Sequence, residues 1–130
     1  MQISIIDYGL GNLHSVLGAV RKSGYNAKIT NNISKILKSD KIILPGVGAF
    51  HDGMKNLKNL NLIDTLEEFV KIKKKPILGI CLGFQLLAKD SFEFGHHKGL
   101  GWIDASISKL PNKGKKIRIP HIGWNDLLKS

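Results

Sequence analysis

The sequence predicts an α/β fold built on a doubly wound, mostly parallel sheet. Short apolar runs, as expected of buried strands, alternate with segments of helical periodicity along most of the chain. Two of these runs end in glycine-rich loops, and a third ends in a cysteine flanked by glycines. Strands that alternate with helices pair in parallel and place helices on both faces of the sheet. Functional loops are then expected at the carboxyl ends of the strands.

Each strand of the predicted sheet is a brief apolar run. Four are predicted in order, at Ile3–Ile6, Ala27–Thr30, Lys41–Leu44 and 76–80. After residue 94 the pattern changes, because glycines at 95, 99 and 101 indicate a loop. Two further strands are predicted beyond that loop, at 103–109 and 116–119, joined by a turn at 111–114.

The helices between the strands follow from apolar spacing. The first is predicted over 13–23, and Gly24 after its last turn suits a helix C-terminus. Its apolar positions are Leu13, Val16, Leu17 and Val20. Further helices are predicted at 33–37, 50–57, 62–72 and 82–88.

The composition is that of a globular protein, and residues 1–130 are expected to form one domain. Of the 130 residues, 42% are hydrophobic and 23% are charged. The single cysteine excludes an internal disulfide and suits a reducing compartment. No signal peptide is recognisable at the start, and no apolar run approaches the length of a membrane span. We therefore expect a cytoplasmic location and no membrane partner.

The formal charge of +10 raises the alternative of a nucleic-acid binder. Nearly all the positive charge is lysine, with Arg21 and Arg118 as the arginines, and it is scattered along the chain. Aromatic residues are not interleaved with it, as a single-strand binder would require. A solvated basic face is favoured, and no nucleic-acid partner is expected.

The stretch Gly79-Ile80-Cys81-Leu82-Gly83 has the G-x-C-x-G spacing of a nucleophile elbow, with cysteine in place of serine. Glycines on both sides let the strand and the following helix approach closely. A thiol at a helix N-terminus is favoured as thiolate. The Leu82 N–H could then stabilise an oxyanion. The alternative is a buried structural cysteine.

Glycines also mark the loops after the first and third strands. Gly9-x-Gly11 lacks the third glycine of a dinucleotide loop, and Pro45-Gly46-Val47-Gly48 lacks the Lys-Ser/Thr of a phosphate loop. Nucleotide binding is therefore a weak alternative. The second loop is better suited to supply backbone N–H groups to a substrate.

Five segments together resemble the class I (triad-type) glutamine amidotransferase family. They are 6–12 (IDYGLGN), 44–50 (LPGVGAF), 79–87 (GICLGFQLL), 91–93 (SFE) and 120–125 (PHIGWN). Within the family, the first and last segments resemble most the glutaminase subunits of imidazole glycerol phosphate synthase, which serve histidine biosynthesis. The resemblance implies a flavodoxin-like, doubly wound fold that is incomplete at the C-terminus.

The resemblance implies that Cys81 attacks the side-chain amide of glutamine, forms a glutamyl thioester and releases ammonia. It assigns the oxyanion hole to the Leu82 N–H and the Gly46–Val47 peptide. The residues it assigns to glutamine binding are Gly48, Gln85 and Glu93. A carboxylate at Glu93 would suit the α-ammonium group. No cofactor is implied. No metal site is indicated either, since the histidines and acids of the sequence do not form a ligand pattern.

The resemblance also implies a partner, a (β/α)₈-barrel cyclase subunit that would receive the ammonia. Four residues are assigned to that interface, namely Asn12, His121, Trp124 and Asn125. For Trp124 the alternative is core packing, and for His121 it is a structural histidine.

One departure from the family pattern concerns proton transfer. The family's triad also uses a His-x-Glu pair, which is expected after the PHIGWN segment, so residues 1–130 correspond to the N-terminal two thirds of the domain. A thiolate needs a base and an acid of this kind. The histidines present do not match that position; they are His14, His51, His96, His97 and His121. The chain alone is therefore expected to be inactive. Two alternatives stay open, an amidotransferase subunit for another acceptor, such as a nucleotide-linked sugar, and a non-catalytic interaction protein.

Overall fold

A computed structural model describes residues 1–110, Trp124 and Asp126. Its centre is a four-stranded sheet in the order β2-β1-β3-β4, in which every pair is parallel. The strands are β1 (Ile3–Ile6), β2 (Ala27–Thr30), β3 (Lys41–Leu44) and β4 (Ile77–Gly79). The predicted fold class and the first three predicted strands are thus confirmed, and the fourth is shorter than predicted.

Five α-helices connect and follow these strands in the described part of the chain. They are α1 (Leu13–Lys22), α2 (Ile33–Lys38), α3 (Phe50–Asn59), α4 (Leu62–Glu67) and α5 (Leu82–Gln85). The side chains of Asn12 and Asn32 cap α1 and α2 by accepting backbone N–H groups at 3.2 and 3.0 Å. Gly24 ends α1 with φ at +84°, as its position predicts. Instead of one helix over 62–72, α4 changes at Glu68–Ile72 into a π-helical turn.

Helices pack on both faces of the central sheet, because apolar side chains of its strands point alternately to one face and to the other. Ile3, Ile5 and Ile43 point to the face that α1 covers. Ile6, Ile42 and Leu44 point to the opposite face and join the larger core. That core is completed by buried residues of the other helices, which include Ile36, Phe50, Leu57, Leu62, Leu66 and Leu82.

A second sheet follows α5, with its strands in the order β6-β5-β7. Its strand β5 begins at Ala88, within the helix predicted over 82–88. Its strands are β5 (Ala88–Ser91), β6 (His97–Lys98) and β7 (Ile103–Ile107). The predicted helix over 82–88 was wrong in its second half, where α5 ends at Gln85. The Leu87 carbonyl accepts the N–H groups of Trp102 and Ile103 at 2.9 and 3.0 Å, so pairing with the later chain replaces a second helical turn. The predicted strand at 116–119 and the turn at 111–114 lie outside the described residues.

The edge of the central sheet at β4 is apolar and accessible. Within the described residues, β4 pairs on one side only, with β3. Leu78 and Ile80 are 56% and 38% exposed there, beside a groove of about 460 Å³ that α1 borders. Among the described helices, none is long and apolar enough to cross a membrane.

Candidate active site

The turn between β4 and α5 holds Cys81 in a conformation that side chains rarely adopt. Its φ is +53° and its ψ is −117°, and the residue is exposed. The Ile80 N–H donates to the Leu44 carbonyl at 3.0 Å, which ties the start of the turn to β3. The Gln85 N–H donates to the Cys81 carbonyl at 3.1 Å, which closes the helical turn behind it. A strained backbone at an exposed cysteine is the geometry of a nucleophile elbow. The alternative of a buried structural cysteine is wrong.

The two glycines of the G-x-C-x-G pattern are sterically required. A methyl group on Gly79 would lie 2.6 Å from the Cα of Phe84. A methyl group on Gly83 would overlap the Leu44 carbonyl oxygen. The turn therefore folds only because both positions lack a Cβ.

The helix that follows the cysteine is only four residues long. A helix dipole needs several aligned peptides, so α5 contributes less to a thiolate than the predicted seven-residue helix would. The Leu82 N–H forms no hydrogen bond within the described residues, which leaves it available to an oxyanion.

Three loops meet at the carboxyl edge of the sheet, as the sequence predicts. A methyl group on Gly11 would lie 3.2 Å from the Cα of Gly46, so the loops after β1 and β3 are in contact. A methyl group on Gly46 would lie 2.9 Å from the Cβ of Leu82. Gly46 and Leu82, two of the residues assigned to the oxyanion hole, are therefore neighbours, and Val47 beside them is 57% exposed.

Tyr8 is a residue of this site that sequence reasoning missed. Its side chain is fully buried, and its hydroxyl lies where a Gly46 side chain would be, without a hydrogen-bond partner within the described residues. Burial raises the pKa of the hydroxyl, and the charge of the nearby Cys81 thiolate raises that pKa further. The signal in the sequence was an aromatic residue with a polar tip two residues after β1.

Gln85 and Glu93, both assigned to glutamine binding, line one cavity of about 470 Å³. Phe92, Phe94 and Lys109 also line it. The Glu93 carboxylate accepts the Phe50 N–H at 3.4 Å, which connects this cavity to the start of α3. Cys81 does not line this cavity. Gly48 lies two residues before Phe50, exposed and with φ at +117°.

Three of the described histidines contact other groups, and the fourth is exposed. His51 and His96 lie 3.3 and 2.9 Å from the carboxylates of Asp52 and Asp90. His97 is hydrogen bonded to the Phe94 carbonyl at 3.0 Å, and His14 is exposed on α1. Within residues 1–110, no histidine is hydrogen bonded to Cys81.

A model of the family "Glutamine amidotransferase class-I" matches residues 4–130. The chain belongs to this family. The match includes all three loops of the site.

Curated relatives of this amidotransferase domain are named as subunits of imidazole glycerol phosphate synthase. The chain is 51% identical to subunit HisH 2 of Methanococcus maripaludis, over 95% of this chain and 60% of that protein. It is 47% identical to subunit HisH 1 of Campylobacter jejuni, over 96% of this chain and 62% of that protein. It is 43% identical to subunit HisH of Pelagibacter ubique, over 98% of this chain and 63% of that protein. The chain thus spans 60–63% of the length of these relatives.

Solved structures agree on the amidotransferase fold. One described as a glutamine amidotransferase superposes with a TM-score of 0.70 at 18% identity, covering 88% of this chain and 59% of that one. A putative peptidase E from Listeria monocytogenes superposes with a TM-score of 0.65 at 14% identity, covering 79% and 63%. At these identities the likeness concerns the fold alone.

The residues assigned to the partner interface of the amidotransferase are described only in part. Asn12 is exposed, and its side-chain oxygen caps α1. Trp124 is fully exposed. His121 and Asn125 lie outside the described residues.

The steric account of the elbow predicts opposite effects for two glycine substitutions. Gly83→Ala should lower the free energy of unfolding by about 1–3 kcal/mol, because the new methyl group overlaps the Leu44 carbonyl. Gly18→Ala in α1 is the matched control, since a methyl group there meets nothing within 4 Å. It should raise the free energy of unfolding by up to about 1 kcal/mol. Urea denaturation measures both, and equal stabilities of the two variants would contradict the account.

Proposed function

We propose that this chain carries the nucleophile and the glutamine pocket of a glutaminase subunit of imidazole glycerol phosphate synthase. The observation that carries the proposal is the strained, exposed Cys81 beside the Gly46 loop. The cavity of Gln85 and Glu93 supports glutamine as the substrate. The names of the curated relatives support the pathway, since each is a subunit of that synthase.

In the proposed reaction the Cys81 thiolate adds to the side-chain carbonyl carbon of glutamine. A C–S bond forms, and the carbonyl electron pair moves to the oxygen, which the Leu82 N–H and the Gly46–Val47 peptide stabilise. The C–N bond then breaks, and the nitrogen leaves as ammonia after it takes up a proton. Water cleaves the resulting thioester, which releases glutamate and restores the thiol.

Glu93 is proposed to bind the α-ammonium group of glutamine. One of its carboxylate oxygens accepts the Phe50 N–H at 3.4 Å, a long contact that leaves the other oxygen to a substrate. Gln85 lines the same cavity and can pair with the substrate carboxylate or amide through its own amide. Gly48, with its left-handed backbone, is proposed to let the loop follow the bound amino acid.

Proton transfer is the step that the described residues do not supply. The leaving nitrogen needs an acid, and the four described histidines lie exposed or bonded to other groups. We therefore propose that the polypeptide of these 130 residues binds glutamine but by itself releases negligible ammonia.

A barrel cyclase subunit is the proposed recipient of the ammonia, with Asn12, His121, Trp124 and Asn125 facing it. The full exposure of Trp124 supports this, because large aromatic residues are enriched at protein interfaces. A cysteine that acts as a free thiolate needs reducing conditions, which supports a cytoplasmic location.

The glutamine pocket predicts that Glu93→Gln weakens glutamine binding about tenfold or more, because it removes a charge-assisted contact to the ammonium group. The measurement is the glutamine concentration that protects Cys81 from alkylation by iodoacetamide. Glu67→Gln, the same change at an exposed position of α4, should leave that concentration unchanged. If the same glutamine concentration protects Cys81 in both variants, Glu93 does not bind the substrate.

The proposed partner predicts that the chain binds a cyclase subunit of imidazole glycerol phosphate synthase. Trp124→Ala should weaken that binding about tenfold, as expected when an interface anchor is truncated. Tyr25→Ala, at a tyrosine that is 52% exposed beside α1, should change it little. Biolayer interferometry measures the affinities, and ammonia release should stay at the level of the Cys81→Ser variant. A folded chain that does not bind the cyclase would favour a different acceptor.

A further inference from the structure

The cavity of about 470 Å³ that contains Gln85 has one charged residue of each sign in its wall. These residues are Glu93, which is half-buried, and Lys109, which is exposed. The other described residues of the wall are uncharged. Glu93 has a proposed partner, the α-ammonium group of glutamine, whereas the Lys109 ammonium group has no assigned role.

The register of the second sheet places Glu93 and Lys109 side by side. Strands β5 and β7 pair in parallel, with Ser91 opposite Ile107. The Phe92 N–H donates to the Ile107 carbonyl at 2.9 Å, so the pairing extends to the end of both strands. Glu93 and Lys109 each follow the Ser91–Ile107 pair by two residues, and both therefore leave the sheet at the same edge.

The two charges do not neutralise each other. Opposite charges at neighbouring positions of adjacent strands often form an ion pair. Within the described residues, however, Glu93 and Lys109 form no ion pair, either with each other or with another residue. The Glu93 carboxylate instead accepts the Phe50 N–H at 3.4 Å, at the start of α3. The cavity is thus lined by a carboxylate and an ammonium group that are both available to a ligand.

A cavity with one charge of each sign is complementary to a zwitterion, and free glutamine is a zwitterion at its α-carbon. We propose that Lys109 binds the α-carboxylate of the substrate while Glu93 binds the α-ammonium group, so that the cavity selects a free α-amino acid. This assignment rests on the proposed function, because it names a binding residue of the same glutamine site. With both α-groups held, the side-chain amide is the end of glutamine that remains for Cys81.

The test compares glutamine with L-glutaminamide, in which a neutral amide replaces the α-carboxylate. The measurement is the ligand concentration that protects Cys81 from alkylation by iodoacetamide, relative to the rate of each variant without ligand. It is made at about pH 6.5, where the α-amino groups of both ligands are protonated. In the unmodified chain, glutamine should protect at an about tenfold lower concentration than glutaminamide, since it makes one more charge-assisted contact.

Substitutions of Lys109 should act on glutamine alone. Lys109→Met should raise the protecting concentration of glutamine about tenfold and leave that of glutaminamide unchanged, which abolishes the preference. Lys109→Arg keeps the positive charge and should keep the preference. Lys98→Met is the matched control, at an exposed lysine of β6 that does not line the cavity, and it should change neither concentration.

The outcomes separate this assignment from the proposed function. An unchanged preference for glutamine in Lys109→Met would overturn the role of Lys109 and leave the glutamine site in place. Tighter binding of glutamine in Lys109→Met would also overturn that role, because it would mean that Lys109 competes with the substrate for Glu93. An equal loss of protection by both ligands would assign the effect to packing and overturn it as well. Failure of both ligands to protect Cys81 in the folded, unmodified chain would contradict the proposed function itself and this assignment with it.

Discussion

The close approach of the elbow to the end of β3 is the constraint on which the site depends. Gly83 packs directly on the Leu44 carbonyl, which leaves no room for a side chain. The same carbonyl accepts the Ile80 N–H at 3.0 Å, so β3 holds the turn from both sides of the cysteine. With its two ends fixed in this way, the chain passes through a positive φ at Cys81 and presents the thiol at the edge of the sheet.

The same constraint assembles the groups around the thiol. Because Leu44 leads directly into the Pro45-Gly46 loop, the contact that holds the elbow also places Gly46 against Leu82. Tyr8, two residues after the neighbouring strand β1, places its hydroxyl in the space that a Gly46 side chain would take. Within the described residues, the site contains a strained cysteine and a buried hydroxyl without a hydrogen-bond partner. Both features cost stability, and features of this kind are common at functional sites.

The sequence predicted the parts of this structure that local patterns encode. The strands 3–6, 27–30 and 41–44 were found from apolar runs, and the elbow from two glycines around Cys81. The sequence did not predict that α5 ends at Gln85. The interaction that ends α5 is the pairing of Leu87 with Trp102 and Ile103, and local helix propensity does not reflect contacts between residues so distant in the sequence. The place of Tyr8 in the site was missed for the same reason, since its neighbour Gly46 is remote in sequence.

The central claim is that Cys81 and the Gln85–Glu93 cavity form one glutamine site. The most direct test is labelling by the chloromethyl ketone analogue of glutamine, followed by intact-mass analysis. The thiolate displaces chloride without a proton donor, so labelling does not require the triad histidine. The account predicts one adduct, blocked by glutamine and absent in Cys81→Ser. The account would be contradicted if the folded chain is alkylated by iodoacetamide but not labelled by the analogue. It would also be contradicted if glutamine does not prevent labelling by the analogue.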